Sequence, residues 1–314
     1  MTVMHPIRTV TGPLAADRVD GPVLAHEHLA LDLRRDGDDQ AVLAEGHRTA
    51  IAAELAGLRA EHGLSLVVEQ TCRGMGRDAA ALARISRQAQ VAVVASTGWY
   101  YEPFHPDEVA AADVDALTGM LLADIEDGLD GTGVRPGLIA EVGGHAEPTR
   151  AERRVLTAAA RAATAADLPL ATHAHLGRGG PAQLELLTGA GLPAHRICIG
   201  HQDLLDDPAT HRELAAAGAY VAFDTIGKEP YQSDERRLRL LLALLDAGHA
   251  DRVLLSCDIS RHSYLRGHGG HGYGHLFRSF LPRARAAGVD DDLVDLLTRR
   301  NPLRFLTGAT TEEF

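Results

Sequence analysis

Eight short apolar runs, each rich in β-branched residues, alternate along this chain with longer stretches of helical periodicity, and short loops join them. That rhythm predicts a closed parallel α/β barrel, the (β/α)8 TIM barrel. Several runs are apolar on both faces, as expected of strands covered outside by helices and packed inside against one another. No Ser/Gly linker, low-complexity segment or change of composition divides the 314 residues. The expectation is one domain over 1–314, with a short N-terminal segment (1–20) packing across the barrel bottom or edge.

The predicted strands are Pro22–His28, Ser65–Cys72, Val91–Gly98, Gly137–Val142, Leu168–His173, Arg196–His201, Tyr220–Thr225 and Arg252–Asp258. Between them the apolar spacing predicts helices over Ala41–His62, stopped by Gly63, then Arg77–Gln90, Asp107–Asp130 and Thr149–Asp167. Thr149 followed three residues later by Glu152 is a capping-box start. Pro181–Ala190, Asp207–Ala217 and Asp234–Gly248 fill the next gaps, and His275–Ala287 and Asp291–Leu306 complete the pattern. The longest irregular stretches, Trp99–Pro106 and Ser260–Gly274, each follow a strand, on the face where barrel enzymes carry their active sites.

Bulk composition narrows the function. A formal net charge of -12 argues against nucleic-acid or anionic-membrane partners, which are held by basic patches. No apolar stretch is long enough to span a bilayer, and Met1–Arg8 lacks the apolar core and cleavage site of a signal peptide. Cys72, Cys198 and Cys257 form an odd set without C-x-x-C spacing, which reads as free thiols in a reducing cytoplasm. The expected partner is a small-molecule substrate. Lys228 is the only lysine among 31 basic residues.

The chemistry lies at the strand ends. In His26-Glu27-His28, side chains two apart share a face, so both imidazoles can reach one metal ion while Glu27 points away. Glu141, His173, His201 and Asp258 recur at the ends of strands four, five, six and eight. Four imidazoles and two carboxylates suit zinc or a similar divalent transition metal, with manganese or cobalt as alternatives. Six ligands exceed the needs of one tetrahedral zinc, so two ions sharing a carboxylate bridge fit the count better.

A series of ordered motifs then resembles the phosphotriesterase family of the amidohydrolase superfamily, especially its phosphotriesterase-homology branch. These are Thr11-Gly-Pro, Ala25-His-Glu-His-Leu29, Gly76-Arg-Asp78, Thr97-Gly-Trp-Tyr-Tyr101, Gly137-Leu-Ile-Ala-Glu-Val-Gly143 and Thr172-His173. Ile199-Gly-His-Gln-Asp-Leu204, Phe223-Asp-Thr-Ile-Gly-Lys228, Leu255-Ser-Cys-Asp-Ile259 and Gly269-Gly-His-Gly-Tyr273 continue the series. The resemblance implies that His26, His28 and Asp258 hold the more buried ion and His173 and His201 the more exposed one. Glu141 falls where many relatives carry a carbamylated lysine bridging the two. The position of the sole lysine independently excludes that arrangement here, and a glutamate supplies the same bidentate, singly negative bridge. The implied reaction is attack by a metal-bridging hydroxide on a carboxylic ester, lactone or amide, with a phosphoester as a further option, and Asp258 as proton acceptor.

Tyr100 stands where lactonase relatives contact substrate, and Lys228, shared with the homology branch, is assigned to an anionic group of the substrate. Thr225 and Leu204 replace the histidine and aspartate of the true phosphotriesterases, so efficient phosphotriester hydrolysis is not expected. The resemblance also implies a homodimer. Asp224 is a candidate to orient His201. His175 is expected in the loop past strand five and His145 in solvent. His262, His268, His271 and His275 suggest a polar substrate lid, and His5, His47, His62, His105, His195, His211 and His249 surface or helix-face positions. The competing readings are a non-catalytic small-molecule-binding barrel and a mononuclear deaminase or amidohydrolase.

Overall fold

The structure is a computed structural model that describes residues 6–35 and 38–309. Its barrel strands are β1 (Val23–Glu27), β2 (Leu66–Glu69), β3 (Ala92–Val94 continued by Ser96–Thr97) and β4 (Leu138–Gly144). They continue as β5 (Leu170–Ala174), β6 (Ile197–Ile199), β7 (Tyr220–Phe223) and β8 (Val253–Leu255). Every neighbouring pair from β1 to β8 is parallel, with β3 changing partner at Ala95: its first half pairs with β2 and its second with β4. The expected (β/α)8 barrel is the fold observed.

No ladder pairs β8 with β1 among the described residues, and the seam is closed by a backbone bond and by side-chain chemistry. Asp258 N–H donates to the His26 carbonyl at 3.2 Å. The buried Glu27 carboxylate accepts from Ser256 Oγ (2.7 Å), Cys257 N (2.8 Å) and Ile259 N (2.9 Å). Burial pushes the Glu27 pKa up to about 7 against the pull of these three donors, and through them Glu27 acts as a clasp.

Two apolar layers follow from strand alternation. Val23, Ala25, Leu66, Val68, Leu138, Ala140, Ala171, Cys198, Tyr220 and Leu254 pack together inside the lower barrel. Ile7, Ala16 and Val19 of the N-terminal segment join this cluster from below. There the strands Ile7–Thr9 and Gly12–Leu14 form a hairpin, and Val10 N–H reaches the Val93 carbonyl at 2.8 Å. The intervening residues Leu24, Val67, Val93, Ile139, Val221 and Leu255 face the helices.

Several predicted helices are altered. Ala41–His62 begins as a helix only at Arg48, because Val42–Leu43 pairs antiparallel with Leu31–Asp32. Asp107–Asp130 is two helices, Asp107–Ala111 and Val114–Asp127; Asp113 breaks the run by accepting from Ala116 N–H as an N-cap. His275–Ala287 and Asp291–Leu306 each contain a π-helical turn, at Leu276–Phe280 and Leu296–Arg300. Thr149 and Glu152 form the expected capping box ahead of Arg150–Ala166. No helix among the described residues is long and apolar enough to cross a membrane.

Candidate metal centre

Alternation alone does not aim all six candidate ligands into the barrel mouth. His173 and Asp258 share parity with the inner residues Ala171 and Leu254, as their strands require. His26 and His28 do not share it with Val23 and Ala25. The ladder between β1 and β2 shifts register between Leu24 and Glu27, which turns both imidazoles to the mouth. A similar shift between β4 and β5 lies beside Glu141. His201 and Asp258 stand past the last paired residues with φ of 56° and 48°, a left-handed backbone that few side chains adopt. Ahead of His201 only glycine fits: a Cβ on Gly200 would lie 2.1 Å from the Thr172 carbonyl oxygen.

Each ring nitrogen has a defined direction. Asp224 Oδ2 takes His26 Nδ1 at 2.7 Å, while its Oδ1 takes His201 Nδ1 and the His201 backbone N–H, both at 2.9 Å. His28 Nδ1 donates to Thr71 Oγ1 at 2.9 Å, and that hydroxyl donates to Glu69 Oε1 at 2.5 Å. The Nε2 atoms of these three rings are thereby turned toward one another, and His173 presents Nδ1 instead.

Glu141 lies between them. Its Oε2 faces His26 Nε2 and His28 Nε2, each at 3.7 Å, and His28 Nε2 is 3.2 Å from Asp258 Oδ1. Its Oε1 faces His173 Nδ1 and His201 Nε2, each at 2.9 Å, and those two nitrogens are 2.8 Å apart. All six side chains are buried. Among the described residues, the groups that could hold a metal are His26–His28–Asp258 and His26–Glu141–His201.

The electrostatics demand positive charge. Glu141, Asp224 and Asp258 converge among the imidazoles, and Lys228 pairs with Asp258 Oδ2 and lies 3.1 Å from Ser260 Oγ. Burial alone would raise all three carboxyl groups, but neighbouring imidazoles and, at Asp258, Lys228 hold them well below the usual carboxylate range. Burial disfavours a charged His26, yet Glu141 and Asp224 push its pKa up to about 10. His26 Nε2 and His173 Nε2 are buried with no hydrogen-bond partner. Oriented imidazoles and an excess of carboxylates fit divalent cations.

Above the centre is a cavity of about 280 Å³ whose lining includes Tyr100, Tyr101, Phe104, Lys228 and Arg261. Tyr100 packs edge-on to His173 with ring centroids 4.5 Å apart, and Tyr101 stacks on His173 and His175. The predicted strand Tyr220–Thr225 ends at Phe223, and Lys228 reaches the site from the following turn.

Other histidines depart from expectation. His145 is only half exposed and its Nδ1 pairs with Glu152 Oε1 at 2.8 Å. His211 is fully buried against Phe223. His47 is not a lone surface ring but packs with His262 and His268, while His275 binds Asp234. His5 lies outside the described residues.

Sequence reading found Asp224 but not its second partner, His26, and it missed Thr71–Glu69 altogether. The signal was a carboxylate at the end of the apolar run Leu66-Val-Val-Glu69, a residue that burial would exclude without partners.

Comparison with known proteins agrees. The phosphotriesterase family model matches residues 5–306. The phosphotriesterase homology protein of Escherichia coli is 38% identical over 286 residues, covering 91% of this chain and 97% of that protein. Its crystal structure, complexed with phosphate in the active site, superposes with a TM-score of 0.89 over 92% of this chain and 99% of its own. Human N-acetyltaurine hydrolase is 32% identical over 82% of this chain and 77% of its own length. A lactonase from Listeria monocytogenes superposes with a TM-score of 0.89 at 26% identity, over 97% of this chain and all of its own. The whole-length match, the barrel and the convergence of candidate metal ligands lead to one conclusion: the chain belongs to the phosphotriesterase family of metal-dependent hydrolases.

Proposed function

We propose that this protein is a binuclear hydrolase, with two divalent ions, most suitably zinc, that cleaves a carboxylic ester, lactone or amide bond. The observation that carries the reading is the division of Glu141: Oε2 toward His26 and His28, Oε1 toward His173 and His201. Bound there, the ions would supply a water acidified to near-neutral pKa and a Lewis acid for the scissile carbonyl.

The side chains supply the rest. Asp258 would accept the nucleophile's proton and return it to the leaving group. Lys228 keeps that carboxylate ionised, and with Arg261 it places positive charge on one wall of the cavity. Tyr100 and Tyr101 offer an apolar wall for the acyl portion, leaving the cationic wall for an anionic substituent. The three unpaired cysteines are consistent with a cytoplasmic enzyme.

Elemental analysis of purified protein should find close to two zinc or manganese ions per chain. Chelation should abolish turnover of an ester, lactone and amide panel, and zinc should restore it. Glu141→Ala should lose at least one ion and all activity. One ion per chain in the active wild type, or a fully metallated and active Glu141→Ala variant, would refute the bridge.

A further inference from the structure

A second cavity, of about 750 Å³, lies at the opposite end of the barrel from the metal centre. Its walls are the N-terminal hairpin, the segments leading into β4 and β5, and the last helix, and its volume is in the range of small-molecule sites. Arg8, Arg87 and Arg135 all line it. In a chain of net charge -12 that convergence is anomalous. Fourteen other arginines are in ion pairs, and among the described residues these three have none. The one carboxylate on the lining, Asp167, points at Arg196, 3.6 Å away.

Arg8 is the informative residue. It is partly buried, and its Nη1 is fully shielded from solvent without any hydrogen-bond acceptor. Partial burial and the like charge of Arg135 both depress its pKa. Two cations that repel one another across the lining of a single cavity describe a place for an anion.

We propose that this cavity is a binding site for a phosphate-bearing small molecule, with Arg8 and Arg135 holding the phosphoryl oxygens. Guanidinium groups suit that ligand because their planar donor fork matches phosphate oxygens. The volume exceeds that of inorganic phosphate, so an organic phosphate ester has room beside the hairpin. The site is independent of the hydrolytic reading and makes no use of the metal ligands.

Calorimetric titration of inorganic phosphate into metal-stripped full-length protein at low ionic strength tests this. Lys228→Gln serves as a control that weakens anion binding at the barrel mouth. The expected result is one saturable site unaffected by Lys228→Gln and weakened about tenfold or more by Arg8→Gln or Arg135→Gln. A parallel titration with glycerol 3-phosphate separates the sources: tighter binding than phosphate indicates an ester ligand, equal binding the free anion.

Arg135 is exposed, so its replacement does not threaten folding. Arg135→Gln should raise the melting temperature without phosphate and lie below wild type in saturating phosphate. No saturable binding to wild type, binding lost only in Lys228→Gln, or binding unchanged in both arginine variants would overturn the proposal.

Discussion

Asp224 shows how much of this centre depends on a side chain that is not a candidate ligand. One carboxylate fixes the tautomer and direction of two imidazoles, His26 and His201, which belong to different strands. Asp224→Asn keeps the size but cannot accept from both Nδ1 atoms with the same strength. Metal affinity, measured by competition with a chromophoric chelator, should fall by roughly 10–100-fold. His28, oriented separately through Thr71, should still occupy its site in that variant. Unchanged affinity would show that the rings are held by packing alone. Its place at a strand end indicated Asp224 but not its grip on His26, because that contact crosses the barrel from β7 to β1.

At the scale of elements, the helix Arg150–Ala166 does more than its capping box suggests. Glu152 is fully buried and accepts from the backbone N–H of Thr149 (2.9 Å), Glu102 (3.2 Å) and His145 (3.2 Å). The loop after β3, which carries Tyr100 and Tyr101, is thus tied to the loop after β4. Thr149→Ala removes one cap and should cost about 1 kcal/mol. Glu152→Ala strands several donors and should cost roughly 2–3 kcal/mol. Denaturant titration of the two variants would read the difference, and equal losses would mean that Glu152 is only a cap.

Element existence was legible from sequence because parallel strands covered on both sides read as unbroken apolar runs. Their ends were not. Arg252–Asp258 was expected as strand, but pairing stops at Leu255, since the chain must turn into left-handed backbone to deliver Asp258. The start of the first helix failed for another reason. Ala41, Val42 and Leu43 fit a helical stripe by spacing, and only their pairing with Leu31–Asp32 decides otherwise. The π turns leave no mark in hydrophobic periodicity, because one extra residue per turn shifts the stripe only locally.

For the molecule as a whole, the loop after β8 carries a pH dependence. Burial holds His271 to a pKa of about 4, with His275, Lys228 and Arg237 adding repulsion that Asp234 partly offsets. In the unfolded chain the ring titrates near about 6.5. Between those values the unfolded state binds a proton that the native state refuses, so stability falls as pH drops from about 6.5 toward 4. His271→Gln should lose less melting temperature than wild type between about pH 7.5 and pH 5. Parallel curves for the two proteins would remove His271 from the account. The convergence of the six candidate ligand positions was legible from sequence, since rare residue types ending apolar runs stand out. The cavity beneath the barrel was not, because Arg8 and Arg135 are far apart in the chain and share no pattern.

The Glu27 clasp has a bearing on how the molecule comes into being. The residue between two site histidines is also what fastens the final strand to the first. Ring closure and assembly of the reactive centre are therefore one event. A ribosome-bound chain that has not yet emitted Ser256–Ile259 holds five of its six candidate ligands but no closed mouth to gather them. Chains interrupted before Ile259 should accordingly carry little hydrolytic potential.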